Sequence, residues 1–237
     1  MHATRKLWTW LAVICVLSFA VLGWVGTEIY VTAPPIPNQV VSTKGDTLYS
    51  PGQVQRGQEA WLAAGGQQLG SVWGHGAYVA PDWSADWLHR EALALREIWA
   101  QKEFGTSYEQ LGVGQRGQLD ARLKAEMRQN TYDKQTGNIV LSVERAAAVK
   151  QVAAHYIGLF GDDVKLEKLR DQYAMNSGSL TDPEDQRALS SFFFWSAWAA
   201  VTDRPGQTDI SYTSNWPHDS LVGNTPTTGT ASGRSPA

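Results

Sequence analysis

Leu7 to Thr27 is an uninterrupted run without a charged side chain. At 1.5 Å per helical residue, its roughly 21 residues suffice to cross a hydrocarbon core of about 30 Å. Trp8 and Trp10 stand at one end, with Trp24 and Tyr30 at the other, where interfacial aromatic belts sit. Arg5 and Lys6 precede the run and Glu28 follows it, so the positive-inside bias places the N-terminus in the cytoplasm. A cleaved secretory signal is the competing reading. Its apolar core would be shorter, roughly 7 to 15 residues, and would end in a small-x-small site; Thr27-Glu28-Ile29-Tyr30 provides none. The pattern predicts a single-pass anchor over residues 1–30, with lipid against residues 7–27 and the bulk of the chain periplasmic.

Beyond the anchor the periodicity shortens and becomes amphipathic. Pro34, Pro35 and Pro37 predict a stiff, extended linker over 31–37. Val40 to Thr43 and Thr47 to Tyr49, joined around Lys44-Gly45-Asp46, read as a hairpin. Ser50-Pro51 offers an N-cap and a first-turn proline for a helix ending at Gly65-Gly66, with Val54, Trp61 and Leu62 as its apolar marks. Ser84 is the expected cap of a long helix reaching Phe104, its buried stripe being Trp87, Leu88, Leu95, Ile98 and Trp99. A charged helix over 114–130 carries Leu119, Leu123 and Met127, and Thr131 to Leu141 reads as a second hairpin. Val149, Val152, Ala153, Tyr156, Ile157 and Phe160 mark the clearest amphipathic helix, which Gly161 stops. Val164, Leu166, Leu169 and Tyr173 suggest a short helix. The last runs from Asp182-Pro183 to Asp203-Arg204-Pro205-Gly206. Its apolar stretch of about 13 residues is too short to span a bilayer and reads as a buried core helix. The fold class is therefore mainly α with small β-hairpins, in one domain over 38–223, followed by a polar, disordered tail over 224–237.

Composition narrows the chemistry. A net charge of −3 over 237 residues argues against nucleic acid as a partner. The only cysteine, Cys15, lies in the anchor, so the exported part has no disulfide, thiolate metal site or thioether-linked haem. Five histidines are present. His75 lies between glycines and could be exposed as a ligand or acid–base group, although a backbone-bonded loop histidine is the commoner case. His89 and His155 stand alone on helices, without a partner at metal-ligand spacing, and His218 reads as a surface residue. Met175 could imitate an axial ligand, but packing is its simpler role. Asp82 with Asp86, Asp162-Asp163 and Glu184-Asp185 are carboxylate pairs of the kind acid–base catalysis uses. Each sits where a helix starts, so capping explains them better. No residue is assigned a catalytic, cofactor-binding or metal-ligating role.

Gly74-His75-Gly76-Ala77-Tyr78-Val79-Ala80-Pro81-Asp82 resembles the segment after the CxxCH haem-attachment motif in the cytochrome c subunit of bacterial nitric oxide reductases. Aligned on that segment, the five attachment positions fall on Gly66, Gln67, Gln68, Leu69 and Gly70. Neither thioether cysteine is present, and Gly70 stands in place of the axial histidine. Together with Arg56 to Trp61, Asp82 to Glu91, Phe192 to Gly206 and Ser214 to Thr227, this makes the chain similar to the quinol-dependent nitric oxide reductases. Their single large chain carries an anchor helix and a haem-free cytochrome c-like domain ahead of its catalytic helices.

The resemblance implies an oxidoreductase family that reduces NO to N2O with membrane quinol, its haem b and non-haem iron held in a membrane bundle. No cofactor is expected in the present residues, and a separately encoded catalytic bundle is a candidate partner. After Thr227 the resemblance ends in a Gly/Ser/Thr-rich tail, so the chain reads as truncated before that bundle, structural and without catalysis on its own. The alternatives are an independent membrane-anchored interaction module, or a carrier of non-covalent haem. A haemless fold must also fill the vacated volume, since a cavity forfeits the dispersion contacts of its lining. Trp73, Tyr78, Trp87 and some of Phe192, Phe193, Trp195 and Trp198 are the expected fillers; an ordinary aromatic core is the plainer alternative.

Overall fold

The computed structural model describes residues 2–74, 79–213 and 218–224. The chain divides into two units, Met1–Pro35 and Ile36–Ala237. The first is one helix, α1 (His2–Thr32), long and apolar enough to cross a membrane. It continues beyond the expected end of the anchor, so the extended linker begins at Ala33 and not at residue 31. Proline explains the stop, because residues preceding proline are driven out of the helical region.

In the second unit both hairpins form where the alternation placed them. Strands β1 (Val40–Ser42) and β2 (Thr47–Tyr49) pair antiparallel, as do β3 (Tyr132–Asp133) and β4 (Asn138–Leu141). Their joining is not visible in local pattern. Strand β1 lies parallel to β4, with Val40 opposite Ile139, making a single sheet of order β2-β1-β4-β3. Asn38 clamps the junction, its backbone N–H donating to Gly137 O (2.7 Å) and its amide to Thr136 O (2.9 Å).

Five longer helices and one short one complete the unit: α2 (Gln53–Ala63), α3 (Trp83–Phe104), α4 (Val113–Arg128), α5 (Val143–Phe160), α6 (Glu167–Gln172) and α7 (Pro183–Val201). Helix α7 is the axis of the core. Every residue from Ala188 to Val201 is buried, because α2, α3 and α5 pack around it. The apolar stretch expected to be a core helix is thus enclosed by protein.

Several expected caps move. Helix α2 begins at Gln53, after a left-handed Gly52, with no side-chain cap; Pro51 lies outside it and Ser50 does not cap it. Leu62 is exposed, not part of the buried stripe, and the helix closes at Ala64 before a 3-10 turn over Gly66–Leu69. Asp82, not Ser84, caps α3 by accepting from Ala85 N–H at 3.0 Å. An ionised carboxylate binds the free amides of a helix start more strongly than a hydroxyl does, and the Ser84 hydroxyl instead donates to that carboxylate. The carboxylates of the other two pairs sit at helix starts as expected. Asp163 caps the 3-10 turn Val164–Leu166. Asp182 caps α7, with Glu184 and Asp185 in its first turn. The tail beyond 224 lies outside the described residues.

Candidate functional site at the glycine loop

The loop after α2 delivers the chain to α3 through a dense set of hydrogen bonds. Ser71 N–H donates to Pro81 O (3.2 Å), and Trp83 N–H donates to Ser71 O (2.7 Å). The Asp82 carboxylate accepts from the Ser71 hydroxyl (2.8 Å) and from Gly74 N–H (2.7 Å), besides capping α3. Trp73 N–H donates to the Ser84 hydroxyl at 2.9 Å. One carboxylate therefore fixes both sides of the loop.

The five aligned attachment positions lie in this frame. Gly66, Gln67, Gln68 and Leu69 form the 3-10 turn, and Gly70 ends it at φ 130. A Cβ placed on Gly70 would lie 2.3 Å from Trp83 Nε1 and 2.7 Å from Pro81 O. No side chain larger than hydrogen fits there, and L residues rarely adopt that backbone conformation. The Trp83 indole lies against the α carbon at the position aligned with the axial histidine. With neither thiol nor imidazole at 66, 69 or 70, the loop does not fit a thioether-linked haem.

Trp83 is also the hub of the aromatic cluster. It stacks on Phe193 (centroids 5.5 Å, 18°) and meets Tyr156, Phe160 and Tyr173 edge-on at 6.0, 5.4 and 5.9 Å. Trp87 stacks on Tyr156 at 5.2 Å and 10°. Of the expected fillers, Trp87 and Phe193 belong to this cluster. Phe192 packs on Trp61, and Trp73 on Trp195, nearer its margin. Trp198 instead meets Tyr212, and Tyr78 lies outside the described residues.

Trp83 itself was not among the expected fillers. It opens a strict four-residue series, Trp83, Trp87, Glu91, Leu95 and Trp99, all buried. That spacing marks one helix stripe and includes a carboxylate that an apolar pattern does not single out. Glu91 accepts from Arg145 Nε at 2.7 Å and from Trp87 Nε1 at 2.9 Å, with Glu91 and Arg145 each 1% exposed. A buried charge demands such a partner. This ion pair pins α3 to α5.

Asp86 also does more than accompany a cap, which corrects the expectation. It accepts from the Tyr156 hydroxyl at 2.6 Å and from Arg90 Nε at 2.7 Å. Burial, reinforced by the Asp86 charge, holds the Tyr156 phenol well above its ordinary pKa. Burial first, then the Arg90 charge, lowers that of neighbouring His155. His89 is not alone, since its Nδ1 lies 3.2 Å from the Asp219 carboxylate. His218 is exposed, with Nδ1 2.8 Å from Asn224 O, and Met175 is packed in the core. His75 lies outside the described residues. Among the described residues no three His, Cys, Asp or Glu side chains gather as a metal site would require.

The class these features define is a helical, cytochrome c-like domain built behind an apolar helix long enough to cross a membrane. Residues 37–218 match the family described as the cytochrome c-like domain of the nitric oxide reductase NorB, and the chain belongs to that family. No curated protein matches it.

Proposed function

We propose that these residues are the anchor and haem-free cytochrome c-like domain of a quinol-dependent nitric oxide reductase. The domain is structural and carries no chemistry of its own. Helix α1 holds it to the inner membrane with the N-terminus in the cytoplasm, so that the domain lies on the periplasmic side over the catalytic helices. Electrons then arrive from membrane quinol, and no relay through this domain is required.

The observation that carries this reading is Trp83 seated 2.3 Å from where a Gly70 Cβ would lie. A protein group occupies the space beside the aligned axial position, and the aromatic cluster makes the core that a porphyrin would otherwise complete. The absence of any cysteine after Cys15 supports the same conclusion.

The test is expression of the full chain beside a c-type haem maturation system, followed by denaturing electrophoresis with haem staining and a visible spectrum. A colourless, folded protein that forms no Soret complex on titration with haemin is expected. Covalent haem, or a saturable Soret complex, would overturn the proposal and favour the electron carrier.

A further inference from the structure

Helix α5, β2 and the start of α7 border a cavity of about 200 Å³. Its walls are aliphatic: Leu48 from β2, and Val149, Ala153 and Ile157 from α5. Buried Tyr49 and Ser190 line it too, their hydroxyls 3.2 Å apart. The Ser190 hydroxyl donates to Arg187 O at 2.7 Å, which leaves the Tyr49 hydroxyl to donate to Ser190. Burial keeps that phenol neutral, with its pKa raised far above the ordinary value. Two exposed cations, Lys150 and Arg187, complete the lining. Neither has an ion-pair partner among the described residues. The acidic groups nearest them in sequence are already engaged, Glu144 by Lys102, and Asp185 and Glu184 by Arg56.

We infer that this cavity binds a free alkyl carboxylate, its short hydrocarbon chain lying between α5 and β2 and its carboxylate paired with Lys150 and Arg187. The volume limits the ligand. At the ~30 Å³ that a water-sized group takes in a condensed phase, the cavity holds roughly seven chain atoms, with the carboxylate outside it beside the exposed cations. An acid group attached directly to a short chain satisfies walls and cations together. A phospholipid fits worse, because its glycerol separates the phosphate from the first methylenes.

Photolabelling of the full chain in non-ionic detergent tests this, using a hexanoate probe with a diazirine in mid-chain, whose chain matches the volume, and peptide mapping by mass spectrometry. Labelling should fall on the peptides holding Leu48 and Val149–Ile157, and octanoate should compete for it. Octanol, which lacks the charge, and acetate, which lacks the chain, should compete far less. Lys150→Gln with Arg187→Gln, both at exposed positions, should weaken octanoate competition about fivefold, as expected for losing two solvent-exposed ion pairs. Ala153→Phe should abolish labelling by filling the cavity, with its melting curve recorded as a check on folding. Equal competition by octanol, an unchanged response in the double variant, or labelling spread over other peptides would overturn the assignment. So would displacement of the probe by anionic phospholipid but not by octanoate.

Discussion

At the scale of single residues, Gly70 and His155 carry the sharpest consequences. Gly70 combines a left-handed backbone with two close neighbours, whereas Gly105, at φ 68, has open space around its α carbon. Both lose on substitution by alanine through backbone strain, but only Gly70 adds overpacking. Gly70→Ala should cost about 3 kcal/mol or more and Gly105→Ala about 1 kcal/mol, as read from denaturant melts. Equal losses would mean that Trp83 yields readily. His155 has a lowered pKa in the fold, from an ordinary 6.5, mainly through burial. The folded state therefore binds fewer protons than the unfolded chain as pH falls through 6.5. That contribution is fully present above about pH 6.5 and is lost as the solution is acidified towards the lower, folded value. His155→Phe keeps a ring against Tyr156 and should flatten the stability profile between pH 7 and 5, while the native protein loses stability there. Asp133 and Glu144 have lowered values, Asp133 through the Gln135 amide and Glu144 through Lys102. They add their losses at more acid pH.

At the scale of elements, the contact of α2 with α7 depends on one glycine. A Cβ on Gly57 would lie 2.0 Å from Ala188 O and 2.8 Å from Phe192 Cβ, so the two helices approach backbone to backbone. Arg56, the neighbouring residue, closes the same junction by donating to Asp182, Glu184 and Asp185 at the start of α7, at 3.1, 2.6 and 2.8 Å. Gly57→Ala should destabilise by about 1–3 kcal/mol, overriding the gain of up to about 1 kcal/mol that alanine brings to a helix interior. Gly117→Ala on α4, with nothing within 4 Å, should show only the gain. The opposite signs can be read from paired thermal melts. Most of these elements were legible in the sequence, because apolar spacing of three and four is written into any helix that buries one face. Starts are less legible: Ser50 and Ser84 have the chemistry of caps, yet α2 starts after a left-handed glycine with no side-chain cap, and a carboxylate caps α3. Leu62 fits the stripe of α2 by spacing but is exposed, a fact of packing that periodicity does not contain.

For the whole molecule, the prediction is topological. A reporter active only outside the cytoplasm, fused after Gly206, should give signal, and membranes should retain the protein after an alkaline carbonate wash. A soluble form lacking about the first 25 residues would show instead that the apolar run is a cleaved signal. The parallel pairing of β1 with β4 also belongs to this scale, since it joins two hairpins distant in sequence and neither hairpin announces the other. The same holds for Glu91 and Arg145, each an ordinary charged residue of an amphipathic helix until α3 and α5 meet.

The sequence by itself determined the helical class, both hairpins, the core character of α7 and the lack of thioether cysteines, because periodicity, turn chemistry and composition are local quantities. Only the tertiary structure decided that Trp83, rather than the other tryptophans, sits against Gly70, that Asp86 holds the Tyr156 hydroxyl, and that two cations border an aliphatic cavity. Each depends on which surfaces close against each other, and that is settled by packing between segments far apart in the chain.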